Sequence, residues 1–415
     1  MSDNSFNLLL AVAVTLLAAK LGETLAKKLG DPGLTGELVM GMVLGNLWLL
    51  NGWRFFDFLR EMPLLRLFEE FGAIALLVKV GLQTDLRALI RVGLSSFLVA
   101  VGGVFAPLVL GFFVGVLILP EASLATKLFL AVSLCATSMA VKLRVLDELK
   151  MLDTTEGRII IGAAMADDVI TLMLLGMVGG IAVSGEVSLS GLAGTLVVSL
   201  LFFLTVGAVG LRYNLIFGEF VTKWLAESLK IPTIVTVCLG LALLAESVGL
   251  NTALGAFVAG LLLQNVRLKD FEYKEHGVEW FVGVAGWILI PIFFVRVGAE
   301  VRIESFFNPQ IVLVGLGITI AAILSKLFCS VCVVEKGVNR LAIGVAMIPR
   351  LEVGLITATI GKNMGVLNDA LYSSIVVMVV FTSLATPSLL KTLLLRQKSP
   401  LLHGLEVAGK GGKNP

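Results

Sequence analysis

Charge is what this chain has least of. Only 15% of its 415 residues are Asp, Glu, Lys or Arg, against about 25% in soluble globular proteins. Cysteine occurs four times, too few for a disulfide scaffold. Histidine occurs twice, His276 and His403, and both lie outside the apolar runs, which excludes a His relay at mid-membrane. Glycine has no three-residue period, so a collagen-like fold is excluded. The two signs of charge almost cancel, at a net +2, so nothing points to nucleic acid or another polyanion. What is present is apolar: 57% of residues are hydrophobic and the mean hydropathy is +0.99. A chain of this make-up has too little polar surface to cover itself in water, and reads as an all-α polytopic membrane protein.

A helix needs about 20 apolar residues to cross a bilayer. Breaks at charged, Gly and Pro residues give 13 expected spans, at 6–28, 33–50, 67–83, 93–118, 125–146, 157–182, 189–211, 231–248, 251–266, 277–299, 309–334, 340–361 and 369–393. The runs lack the polar/apolar alternation of membrane strands. Thirteen spans with a cytoplasmic C-terminus put 14 Lys and Arg in inside loops and 6 in outside loops. That bias supports an outside N-terminus and a cytoplasmic C-terminus. Residues 1–398 read as one transmembrane unit, and 399–415 as a short disordered tail. The segment 212–230, with Phe217, Phe220 and Trp224 among charges, reads as an interfacial amphipathic helix.

Ionisable residues deep in a span are costly, about 2.5–3.5 kcal/mol each on insertion scales, and are functional candidates for that reason. The sixth span holds the sharpest feature, Ala-Met-Ala-Asp167-Asp168-Val-Ile. Adjacent carboxylates lie about 100° apart on a helix. In a small dry space they cannot both stay ionised without a cation, because like charges raise each other's proton affinity. Such a pair holds either protons or a metal cation, and that competition is the core of an exchange reaction. The fifth span carries Thr137-Ser138 followed by Lys142; its hydroxyls loosen a helix by competing for backbone groups, and broken helices at mid-membrane offer carbonyls and dipole ends to ions. The twelfth span carries Pro349-Arg350-Leu351-Glu352 and is expected to be interrupted as well. Lys326 in the eleventh span needs an acidic partner, for which Asp167 is favoured. Glu246, Arg296 and Lys79 complete the set of mid-span charges. Cys329-Ser-Val-Cys332 sits in an apolar run without a nearby His, and reads as packing rather than a metal site. No cofactor is called for.

These segments together resemble the monovalent cation:proton antiporter superfamily, and more closely its second branch, which includes bacterial sodium/proton antiporters and the membrane domain of potassium-efflux antiporters. The likeness rests on Thr137-Ser138…Arg144-Val-Leu, Gly162-Ala-Ala-Met-Ala-Asp167-Asp168, Glu246 with the run Asn251-Thr-Ala-Leu-Gly255…Gly260, Lys326, and Pro349-Arg350-Leu-Glu352-Val-Gly, across roughly residues 5–393. It implies two inverted repeats, a dimerisation domain beside a mobile core of about 93–182 and 309–361, and two crossed, unwound helices next to the aspartates. It also implies a homodimer in a bacterial inner membrane, with no cofactor. Carried over by resemblance, Asp168 is the ion-binding acid, Asp167 its lysine-bridged neighbour and Lys326 the bridge, with Thr137 and Ser138 beside them. Lys142 is a salt-bridge or coupling residue. Arg350, Glu352, Glu246 and Arg296 support charge at the unwound helices. The implied activity is exchange of Na⁺, or K⁺ or Li⁺, for protons, electrogenic where two acids are present.

The chain departs from that pattern at Lys142, Lys79, Arg296 and Leu351. Lys142 either pairs with an acid on a neighbouring helix or points at Asp168 as a tethered surrogate for the cation. The second arrangement would suit altered coupling, a proton-coupled anion carrier or a non-transporting sensor. An intramembrane aspartyl protease needs one Asp on each of two helices and a Gly-x-Gly-Asp segment; both are missing here.

Overall fold

Three helices of this chain start where short polar side chains cap them. The computed structural model describes residues 2–31, 33–51, 54–83, 93–184, 218–248, 252–264, 266–269 and 275–410, with scattered residues between 194 and 216. Its main helices are α1 (Ser2–Lys28), α2 (Gly33–Gly45), α3 (Pro63–Gln83), α4 (Leu94–Ile118), α5 (Leu124–Ser133), α6 (Met139–Glu148), α7 (Thr155–Ser184), α8 (Glu227–Ser247), α9 (Thr252–Leu263), α10 (Val278–Ala299), α11 (Pro309–Leu327), α12 (Arg340–Ala346), α13 (Glu352–Asn363) and α14 (Asp369–Lys410). Ser123 accepts from the Thr126 amide before α5, Asn308 from Gln310 before α11, and Asn339 from Ala342 before α12. Each satisfies one of the amides that a helix start leaves without a partner.

Among the described residues, seven helices are long and apolar enough to cross a membrane: those in 9–28, 94–118, 155–182, 227–247, 282–307, 309–332 and 369–395. The second and ninth expected spans are the short helices α2 and α9, the third is the more charged α3, and the fifth and twelfth are each split in two. The seventh, 189–211, lies largely outside the described residues; of the segment 212–230, residues 216 and 218–230 are described, and there Phe220–Trp224 forms a single wide turn, with Phe220 and Trp224 exposed, before α8 begins at Glu227. Between α9 and α10, Arg267–Lys269 pairs antiparallel with Glu275–Gly277. Beyond Leu395 the last helix continues to Lys410, where an unstructured tail is expected from 399. Leu401, Leu402, Leu405 and Glu406 are strong helix formers and extend the turn already begun.

The helices sort into two groups. In one, α10 packs on α3 and α2, α1 packs on α2, and α9 lies between α3 and α8. In the other, α4 packs on α7, α5 and α11, while α13 packs on α5 and α14. The last helix therefore sits with the second group, on α11, α12 and α13, and not with the remaining spans among which the sequence reading placed it. Its buried Tyr372, Ile375, Val376 and Val379 join the main apolar cluster. Contacts between the groups are sparse, and α3 faces α13 across the boundary.

Small residues hold the first group together at backbone distance, as expected where lipid removes the hydrophobic drive for helices to associate. A methyl group on Gly81 of α3 would overlap the Phe257 carbonyl oxygen of α9, and one on Gly260 of α9 would overlap the Val78 carbonyl oxygen of α3. Neither helix can accept a side chain there without moving apart. Gly260→Ala is therefore expected to lower stability by about 2 kcal/mol. Gly283→Ala, on α10 with no atom within 4 Å of the added carbon, should be neutral or slightly stabilising. Thermal unfolding of both variants in detergent checks the difference.

Candidate functional site

Two helix breaks meet in the middle of the second group. After Ser133 the chain leaves helical geometry and resumes it at Met139, and after Ala346 it does so until Glu352. The cause is local. Pro349 has no amide hydrogen and biases Ile348 away from helix, while the Thr137 and Ser138 hydroxyls compete for backbone partners. The breaks touch directly: the Ser138 amide donates to the Pro349 carbonyl at 2.7 Å. Arg350, fully buried, fastens them to α11. Its Nη2 donates to the Ala322 carbonyl at 2.7 Å and its Nη1 to Ala136 at 3.4 Å. The guanidinium thus satisfies carbonyls, one of them within the first break. Glu352 opens α13, where a negative charge suits the helix N-terminus.

The two aspartates of α7 have opposite surroundings. Asp167 is completely buried and both of its oxygens are engaged. Lys326 Nζ lies 2.8 Å from Oδ1, and Thr137 Oγ1 donates to Oδ2 at 2.9 Å. Asp168 is 2% exposed and its Oδ1 has no hydrogen-bond partner among the described residues. It lines a cavity of about 530 Å³ between the two helix groups, together with Thr137, Leu143, Met165, Glu352 and Val353, and with Leu76 and Val80 of α3. The rim includes Lys79 and Gln83, both exposed. Lys79 thus lines the cavity near the C-terminal end of α3. One adjacent acid is neutralised in place, and the other is left facing a space that water-sized groups can enter.

Lys142 is buried one turn beyond the first break. Its Nζ approaches the Met347 sulfur at 3.7 Å, a weak acceptor. Ser138 Oγ is buried in the same region without a hydrogen-bond partner among the described residues. These residues could offer a small cation a carboxylate, hydroxyls and the free carbonyls of the breaks. No group of three or more His, Cys, Asp or Glu is placed to hold a metal ion among the described residues.

Two residues expected at the breaks are elsewhere. Arg296 lies on α10, with Nε 2.7 Å from Glu69 Oε2 and Nη2 3.0 Å from Glu300 Oε1, and so belongs to the first helix group. Glu246 is exposed in the last turn of α8. Depth along a span misplaces such residues, because it says nothing of which helix they face. Glu69, which is buried, is not among the residues the sequence singles out. Glu69 falls in the charged run Arg66-Leu-Phe-Glu69-Glu70 and looks like a span edge. The signal was its spacing: Leu65, Glu69, Gly72 and Leu76 share one buried face of α3.

Removing one partner of a buried pair leaves the other charge uncompensated, at about 3–5 kcal/mol. Lys326→Met is expected to lose stability on that scale. Adding Asp167→Asn should recover most of the loss, because the orphaned charge goes with it. Unfolding of the two single variants and the double variant in detergent measures the coupling.

Residues 12–396 match the family described as sodium/hydrogen exchanger, transmembrane. The chain is 30% identical to the high-affinity Na⁺/H⁺ antiporter NhaS3 of Synechocystis, over 92% of this chain and 89% of that one. It is likewise 30% identical to the Na⁺/H⁺-K⁺ antiporter GerN of Bacillus cereus, over 93% and 96%. Its fold is similar to that of the sodium proton antiporter MjNhaP1 of Methanocaldococcus jannaschii, with a TM-score of 0.68, 18% identity and coverage of 94% and 99% of the two chains. A multi-pass helical architecture, two broken helices beside paired membrane aspartates and a match over nearly the whole length agree: this chain belongs to the transmembrane sodium/hydrogen exchanger family.

Proposed function

We propose that the protein is a secondary antiporter that exchanges a monovalent cation for protons at Asp168, by alternating access of the cavity between its two helix groups. The observation that carries this reading is the contrast within the Asp pair. Asp167 is held by Lys326 and Thr137, while Asp168 keeps an oxygen without a partner in a cavity that reaches exposed residues. Protons and cation compete for that carboxylate. The neutralised site then crosses, because the bare charge would be expensive to carry past lipid. Thr137 and Ser138 contribute hydroxyls to the cation. Lys326 holds Asp167 when the site is empty and can release it as the cation arrives.

Na⁺ is the favoured substrate, with K⁺ or Li⁺ as alternatives. The two-acid site supports a reading in the superfamily's second branch and two protons per cation. One net charge then moves per cycle, and 100 mV contributes about 2.3 kcal/mol. The basic-residue bias supports an outside N-terminus, so the cavity rim at Lys79 and Gln83 faces the cytoplasm. On this reading the two breaks are crossed helices of a mobile core, the first helix group is the scaffold of a homodimer, and the membrane is the bacterial inner membrane. Sequence likeness to bacterial antiporters supports the last point.

Lys142 acts as a tethered competitor. Its buried side chain has only a thioether for a partner among the described residues and sits one turn beyond the break that carries Thr137 and Ser138. It stands in for the cation when the site is empty. The transported ion must displace it, so the apparent affinity is set low.

Asp168→Asn is expected to abolish Na⁺-driven proton movement in proteoliposomes; normal exchange by that variant would reject the assignment. Lys142→Met is expected to lower the half-saturating Na⁺ concentration about tenfold, or 1.4 kcal/mol. An unchanged or higher value in the same assay would remove the competitor role.

A further inference from the structure

A second cavity, of about 260 Å³, lies further along the same groove between α3 and α13, lined by Glu69, Ala73 and Leu77 of α3, Thr252 of α9, and Ile356 and Thr359 of α13. The Asp168 cavity takes Leu76 from α3 and Val353 from α13. One apolar layer therefore separates the two spaces: Leu76, Leu77, Val353 and Ile356, all buried. From Val353 to Ile356 the helix rises only about 4.5 Å.

Glu69 is buried in the wall of this second space. Its Oε2 pairs with Arg296, while its Oε1 has no hydrogen-bond partner among the described residues. Arg296 also pairs with Glu300, Glu300 with Lys362, Lys362 with Asp369, Asp369 with Arg302, and Arg302 with Glu304. Along this linked series four carboxylates alternate with three cations, so one negative charge is in excess. A lone structural pair between α3 and α10 would need neither the open oxygen nor the cavity.

We propose that Glu69 forms a second monovalent-cation site, with Thr359 beside it, where the ion waits on the outer approach to Asp168. The site offers a cation a carboxylate oxygen and a hydroxyl, at one end of a series with one carboxylate in excess. Opening of the apolar layer joins it to the exchange site. This inference rests on the reading that exchange occurs at Asp168 and that the Asp168 cavity faces the cytoplasm.

The test is the half-saturating Na⁺ concentration measured separately at each face. Everted membrane vesicles present the cytoplasmic face and right-side-out vesicles the outer one, with proton movement followed by a pH-sensitive dye. Glu69→Gln is expected to raise the value at least fivefold at the outer face and to leave it within twofold at the cytoplasmic face. An unchanged outer value, or equal shifts at both faces, would overturn the proposal, since a merely structural pair would affect both. Should Glu69→Gln not reach the membrane, Glu69→Asp is measured in its place, with the same one-sided shift expected and the same symmetric result fatal. Asp168→Asn separates the two readings: exchange by that variant refutes the exchange site whatever Glu69 does, while its loss together with a symmetric Glu69 effect refutes only the outer site.

Discussion

Everything at the centre of this molecule depends on how one buried carboxylate is neutralised. Two adjacent acids in a dry interior repel each other and are both expensive to keep charged. The contact of Lys326 with Asp167 at 2.8 Å, completed by the Thr137 hydroxyl, removes that burden from one of them. Of the pair, Asp168 is then the acid that keeps an oxygen without a hydrogen-bond partner among the described residues. Without the Lys326 contact the two carboxylates would lose the difference in surroundings that separates them.

The helix breaks follow from the same need. A regular helix spends its carbonyls on its own amides and has none to offer at mid-membrane. Breaking two helices at one level releases such groups, but a membrane interior does not tolerate them unsatisfied. The Ser138–Pro349 hydrogen bond and the Arg350 contacts with Ala136 and Ala322 satisfy part of that set and keep the rest in register. Arg350 does this as a fixed charge among carbonyl dipoles, which a lysine would do with less reach and fewer donors.

Much of this arrangement is legible in the sequence because burial of charge is costly enough to leave a mark. Asp167, Asp168, Lys326 and Arg350 stand out against apolar runs, and Pro349 and the Thr137-Ser138 pair announce where helices stop. What the sequence hides is direction. Arg296 and Glu246 have similar depth along their spans, yet one is buried against Glu69 and the other is exposed, because facing is decided by tertiary packing. Glu69 is hidden for the opposite reason: the exposed Arg66 and Glu70 beside it make a buried acid look like the polar end of a helix. The grouping of the last helix is another case, since nothing in its apolar run names the neighbours it packs on.

The glycine contacts have a mechanical consequence. Where α3 and α9 meet through Gly81 and Gly260, backbone rests on backbone with no flexible side chain between, so the joint has almost no compliance. The α3–α13 groove is the reverse, cushioned by leucine, valine and isoleucine side chains that can exchange rotamers as they slide. A displacement of α3 is therefore handed to α9 backbone to backbone, while at the α3–α13 groove it meets side chains first.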